Sequence, residues 1–126
     1  MILVDTDVLI WNLRGNETAA HRLDNSPGFS LSAVTWMELT QGVRDNAELR
    51  VLKQALRFWH ADILHLNESI SARSSFLVEE HALANSLQLA DALIAATALE
   101  TGLTLLTAND RHYRFIPGLE LEIFRP

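Results

Sequence analysis

Apolar residues fall along this chain in short runs that alternate with stretches of helical spacing, and Gly, Pro, Asn and Asp punctuate the joins. Residues 2–4 form a brief apolar run that stops at Asp5, which predicts a buried strand. Residues 7–13 predict a short helix ended by Gly15 and Asn16, and residues 17–24 a second one before the turn Ser26-Pro27-Gly28. Residues 29–31 predict a strand, after which Ser32 can cap a helix running through Val43, with Gly42 near its end. From 47 to 59, Leu49, Leu52, Leu56 and Trp59 share one side of a helix. Residues 63–66 predict a strand, Asn67 a cap and residues 68–80 a helix. Residues 90–101 predict a helix that is apolar all round and closed by Gly102. Residues 104–106 predict a further strand, and residues 120–124 alternate as an edge strand does.

Short apolar strands alternating with helices imply a parallel sheet covered on both faces. The expectation is a three-layer α/β/α domain with a short, mainly parallel central sheet. At 126 residues there is room for one core, so residues 1–126 read as a single domain.

Composition narrows the functional classes. The chain is 48% apolar and 21% charged, ordinary for a globular protein. It has no cysteine, so disulfide frameworks and thiolate zinc sites are excluded, which is compatible with the cytosol. The amino terminus lacks a basic segment and its apolar stretch is broken by Asp5 and Asp7, unlike a signal peptide. The longest apolar run, residues 87–99, is shorter than a membrane span and contains Asp91. A soluble, cytoplasmic protein is expected. The net charge of −6, with a single lysine, argues against a non-specific nucleic-acid coat. Four of the negative charges have a different use, however. If Asp5, Glu38, Asp91 and Asp110 hold a cation, the rest of the chain carries only −2.

Those four acids fall where a site belongs. In an open α/β sheet, ligands bind beyond the carboxyl ends of the strands. Asp5 directly follows the first strand, and Asp110 lies in the loop Thr107-Ala-Asn-Asp110 after the strand at 104–106. Asp5 and Asp7 also suit the job of capping the helix that follows them, with Thr6 between them as a hydroxyl donor. Glu38 sits between Met37 and Leu39, and reads either as an exposed helix glutamate or as a site residue. Asp91 is the most informative: it stands in an all-apolar helix, where an ionised carboxylate needs a cap, a partner or a cation. Converging carboxylates repel one another until their pKa values rise or a cation joins them. Oxygen donors without Cys favour Mg²⁺ or Mn²⁺, an arrangement suited to phosphodiester hydrolysis.

The blocks Ile2-Leu-Val-Asp-Thr-Asp-Val-Leu-Ile10, Leu31-Ser-Ala-Val-Thr-Trp-Met-Glu-Leu39, Ala90-Asp-Ala-Leu-Ile-Ala-Ala-Thr-Ala98 and Leu106-Thr-Ala-Asn-Asp-Arg-His-Tyr113 together resemble the PIN-domain family. Their order, spacing and compact length are most similar to VapC toxins, and the resemblance covers essentially the whole chain. It implies a Mg²⁺- or Mn²⁺-dependent endoribonuclease that leaves 5′-phosphate and 3′-hydroxyl ends. It further implies a homodimer, held in a heterotetramer or larger assembly by a VapB-type antitoxin. By position, Asp5, Glu38 and Asp91 match the family's metal-binding acids. Where the family often places a fourth acid this chain has His112, so either Asp110 substitutes or three acids suffice. Thr107 and Asn109 match polar residues that support the site. Arg111, His112 and Arg114 form a cationic knot suited to RNA phosphate or to plain solvation, while the remaining histidines read as structural or surface groups. Three other readings compete. The Asp5-Thr-Asp7 pair also suits a haloacid-dehalogenase-like phosphatase or a response-regulator receiver, but both need a later lysine, and Lys53 is the only one. The third is a catalytically inactive PIN-like module that binds RNA or a partner.

Overall fold

The computed structural model describes all 126 residues. Five strands form one sheet: β1 (Ile2–Val4), β2 (Ser30–Ser32), β3 (Asp62–Leu64), β4 (Thr104–Thr107) and β5 (Leu121–Ile123), in the order β3-β2-β1-β4-β5. Every pairing is parallel, so the sheet is wholly rather than mainly parallel, and the strand at 121–123 lies at the edge as its alternation implies. Six helices connect the strands: α1 (Thr6–Leu13), α2 (Glu17–Asp24), α3 (Ala33–Gln41), α4 (Asn46–Phe58), α5 (Glu68–Asn85) and α6 (Leu89–Thr101).

The two-residue period of the strands divides the interior into two cores. Leu3 and Leu105 face one side of the sheet, where they pack with Ile70 and Leu77 of α5 and with Ala92, Ile94 and Ala95 of α6. Their neighbours Val4 and Leu106 face the other side, against Val8 and Leu9 of α1, Leu23 of α2, and Leu52 and Leu56 of α4. Helix α3 closes the seam between them, with Val34 in the first core and Leu39 in the second. This is the three-layer arrangement expected from the pattern.

Caps set the helix boundaries. Asp5, Asn16, Ser32, Asp45 and Asn67 each accept a backbone N–H at the start of the helix that follows. Asn67 Oδ1 takes the Ile70 N–H at 2.9 Å. Asn67→Ala should therefore cost about 1 kcal/mol, measurable by urea unfolding. Helix α5 runs five residues beyond the expected end at 80. Its core contacts thin out after Leu77 and Val78, yet Ala82, Leu83 and Ala84 are good helix formers, and no Gly or Pro stops them. Leu83 is accordingly fully exposed. Helix α6 ends as expected at Gly102, whose φ of +70° a side chain rarely adopts.

The strand order fixes where a site can form. From β1 the chain moves outward to β2 and β3, then returns to place β4 on the other flank of β1. The topology reverses between β1 and β4, and the backbone N–H of Asp5 still reaches the Leu106 carbonyl at 2.9 Å beyond the last strand residue. Asp5 and Thr107 thus leave the sheet side by side at this switch point.

Candidate metal centre

Asp5 is nearly buried and fully engaged. Its Oδ1 accepts the Thr6 backbone N–H at 2.8 Å, and its Oδ2 accepts the Thr107 hydroxyl at 2.8 Å. Capping α1 and facing the site are therefore one position, because the helix begins where the strand delivers the acid. Burial pushes the Asp5 carboxyl up to about 7, and the charge of Asp7 adds to the rise. Hydrogen bonds from Thr107, Tyr113 and the Thr6 N–H pull against it.

Asp7 takes a larger part than the expectation of a simple helix cap allows. Its Oδ2 accepts the Ala108 backbone N–H at 3.0 Å and the Asn109 side-chain amide at 2.8 Å. Its Oδ1 is buried with no partner. Burial is the main cause of its raised pKa, to which the charge of Asp91 contributes. The signal for Asp7 lay in its spacing from Asp5: two residues apart across a strand-to-helix turn, both carboxylates meet the loop after β4.

Asp91 does not cap its helix. The N-cap of α6 is Gln88, which makes no side-chain cap bond, and Asp91 lies in the first turn. Its partners come from the loop after β4: the Tyr113 hydroxyl donates to Oδ1 at 3.1 Å, and His112 Nδ1 lies 3.1 Å from Oδ2. Tyr113 has no exposed surface, and its hydroxyl is raised in pKa by burial and then by the charges of Asp5 and Asp91, both of which it faces. Nothing in the sequence reading singled out Tyr113. Its only signal is its place beside His112 in the last of the four blocks.

Glu38 joins through Thr6. The Thr6 hydroxyl donates to Glu38 Oε1 at 2.7 Å and lies 2.9 Å from the buried hydroxyl of Thr35. Asp110 is drawn elsewhere. Its carboxylate meets Arg125 at 3.3 Å, while its carbonyl closes the short 3₁₀ turn (Asp110–His112) by accepting the N–H groups of Tyr113 and Arg114. Thr6 touches Asp5 and Glu38, Thr107 touches Asp5 and Asp7, and Asn109 touches Asp7. Arg111 and Arg114 are exposed and make no ion pair.

The result is a patch of acids with no lysine or arginine on Asp5, Asp7, Asp91 or Glu38. Oxygen donors, mutual repulsion and the unpartnered Asp7 Oδ1 fit a hard divalent cation. No three acidic or imidazole groups stand together as a ready coordination set, so closing on an ion requires side chains to turn. The exposed Glu38 and the partly exposed Asp91 have room to do so.

A model of the PIN domain matches residues 2–116 of this chain. The chain belongs to the PIN-domain family. Ribonuclease VapC19 of Mycobacterium tuberculosis is 32% identical over 126 residues, covering 95% of this chain and 98% of that protein. Among solved structures, a chain of a toxin-antitoxin complex from Klebsiella pneumoniae superposes with a TM-score of 0.80 at 32% identity, covering 94% of this chain and 95% of that one. A chain of FitAcB from Neisseria gonorrhoeae gives 0.74 at 28% identity, with 96% of each covered. The DNA-bound VapBC of Salmonella typhimurium contains a chain with a TM-score of 0.84 at 23% identity, covering 98% of each, and it supports the fold alone. The match removes the two lysine-dependent readings. In this PIN domain Lys53 is exposed on α4 and pairs with none of the acids.

Proposed function

We propose that this PIN domain is a Mg²⁺- or Mn²⁺-dependent endoribonuclease, the toxin of a type II toxin–antitoxin pair restrained by a VapB-type antitoxin. The observation that carries the reading is the meeting of Asp5, Asp7 and Asp91 at the β1/β4 switch point, where no lysine or arginine pairs with their carboxylates. The ribonuclease relative and the toxin–antitoxin structure, each 32% identical across nearly the whole chain, support the substrate and the partner. A homodimer within a larger antitoxin complex is the assembly that the family resemblance implies. Cellular RNA as substrate sets the place of action in the cytoplasm. No helix of the chain is long and apolar enough to cross a membrane.

Asp5, Asp91 and Glu38 would hold the ion, with the free oxygen of Asp7 facing the same cluster. When bound, a divalent ion supplies positive charge to the attacked phosphate and makes water a better nucleophile at neutral pH. The chain's own groups do the positioning. Thr107 and the Thr6 N–H fix both oxygens of Asp5, Asn109 and the Ala108 N–H fix Asp7, and the Thr6 hydroxyl orients Glu38. The exposed Arg111 and Arg114 are free to pair with RNA phosphates on the loop that carries Tyr113.

Single-stranded RNA incubated with the purified chain should be cut in the presence of Mg²⁺ or Mn²⁺, left intact with EDTA, and cut again when the ion is restored in excess. Cleavage indifferent to EDTA would remove the reading.

A further inference from the structure

Both oxygens of the Asp91 carboxylate are taken, and by residues adjacent in the chain. The Tyr113 hydroxyl holds Oδ1 and the His112 imidazole stands at Oδ2, each at 3.1 Å. The two contacts differ in what it takes to release them. Tyr113 is wholly buried among the residues that pack against α5 and α6. Its backbone N–H donates to the Asp110 carbonyl, and its own carbonyl accepts the Ile116 N–H. For this ring to leave, the core would have to open or a buried hydroxyl would lose its partner. The side chain of His112 is 52% exposed, and Asp91 is its one polar side-chain partner. Water replaces such a contact at little cost.

The other acids are placed differently. Asp5 is held by a backbone amide and a buried hydroxyl, and Asp7 keeps an oxygen without a partner. Asp91 offers no such oxygen while the imidazole remains. The imidazole nitrogen, 3.1 Å from Oδ2, also fills the space where a cation bound to that oxygen would sit.

We propose that His112 competes with the divalent cation for Oδ2 of Asp91, swinging outward as the ion binds while Tyr113 keeps its hold on Oδ1. The residue that stands where the resemblance expects a fourth acid is then not a substitute ligand but a displaceable occupant. Tyr113 is the permanent positioning residue for Asp91. This inference rests on the metal reading above.

Titration calorimetry of the purified chain with Mn²⁺ separates the two. His112→Ala should bind Mn²⁺ about two- to fivefold more tightly than wild type, the range set by an exposed ion-pair contact. Tyr113→Phe, which preserves the packed ring, should bind about tenfold more weakly, as loss of a ligand's supporting partner does. Weaker binding by His112→Ala would make His112 a ligand, and unchanged binding would show that nothing competes. Either result overturns the inference and leaves the metal reading standing. Wild-type protein that binds no Mn²⁺ would overturn both.

Discussion

Asp91→Asn should lower RNA cleavage by at least about a hundredfold while leaving the fold intact. Asparagine has the shape of aspartate, and its carbonyl oxygen can accept the Tyr113 hydroxyl as Oδ1 does now. What disappears is the charge that would attract a cation, and loss of even a supporting partner at a metal site costs about 10- to 100-fold. The fold has no reason to suffer. Asp91 does not cap α6, and the helix is anchored by Ala92, Ile94, Ala95, Ala96 and Ala98, all essentially inaccessible to solvent. Circular dichroism and thermal melting would establish that the variant is folded, and an RNA cleavage assay with excess Mg²⁺ would read the loss. A folded variant that cuts at the wild-type rate would end the assignment of Asp91 to the site.

Asp5→Asn should produce opposite effects on activity and stability. Cleavage falls at least as far as for Asp91→Asn, but in EDTA the variant melts at higher temperature than wild type, by about 5 °C or more at pH 8, the size of shift that roughly 1 kcal/mol produces in a domain of this length. The sign follows from the raised pKa. Folded, Asp5 holds its proton up to about 7, whereas the unfolded group releases it near 3.8. Its stabilising contribution is complete below pH 4 and is lost as pH rises through 7, because the buried carboxyl must then ionise beside Asp7. Melting temperatures of the two proteins should nearly coincide below pH 4, diverge between about pH 4 and 7, and stay apart by a constant gap above that. Mg²⁺ should narrow the gap by stabilising only the wild type. Parallel melting curves at every pH would mean that Asp5 carries no such penalty. The stored repulsion is a stability cost kept for function, of the kind that active sites commonly hold.

Much of the fold was legible because local rules and tertiary packing agree in this chain. The apolar runs at Ile2, Phe29, Ile63 and Thr104 are bounded by turn residues, and Asp5, Asn16, Ser32 and Asn67 are good caps followed by helical spacing. Where a boundary moved, as at the end of α5, nothing local marked the stop. The helix continued on propensity after its core contacts had ended. The site was legible in part for a different reason. An aspartate inside an all-apolar helix cannot be left alone, whatever the fold, so Asp91 announced a partner before any partner was known.

By itself the sequence determined a mainly parallel sheet between helices, and it determined that acids must stand at the carboxyl ends of β1 and β4, because strand periods, caps and turns are set by neighbours in the chain. The tertiary structure alone decided which polar atoms meet. It gave Asp7 an oxygen without a partner, turned Asp110 toward Arg125, and placed His112 and the buried Tyr113 on the two oxygens of Asp91. Those contacts, together with the Asp5–Thr107 and Asp7–Ala108 hydrogen bonds, join residues from 15 to more than 100 positions apart. Hydrogen bonds and charge repulsion depend on separation in space, and no periodicity along the chain encodes separations of that length.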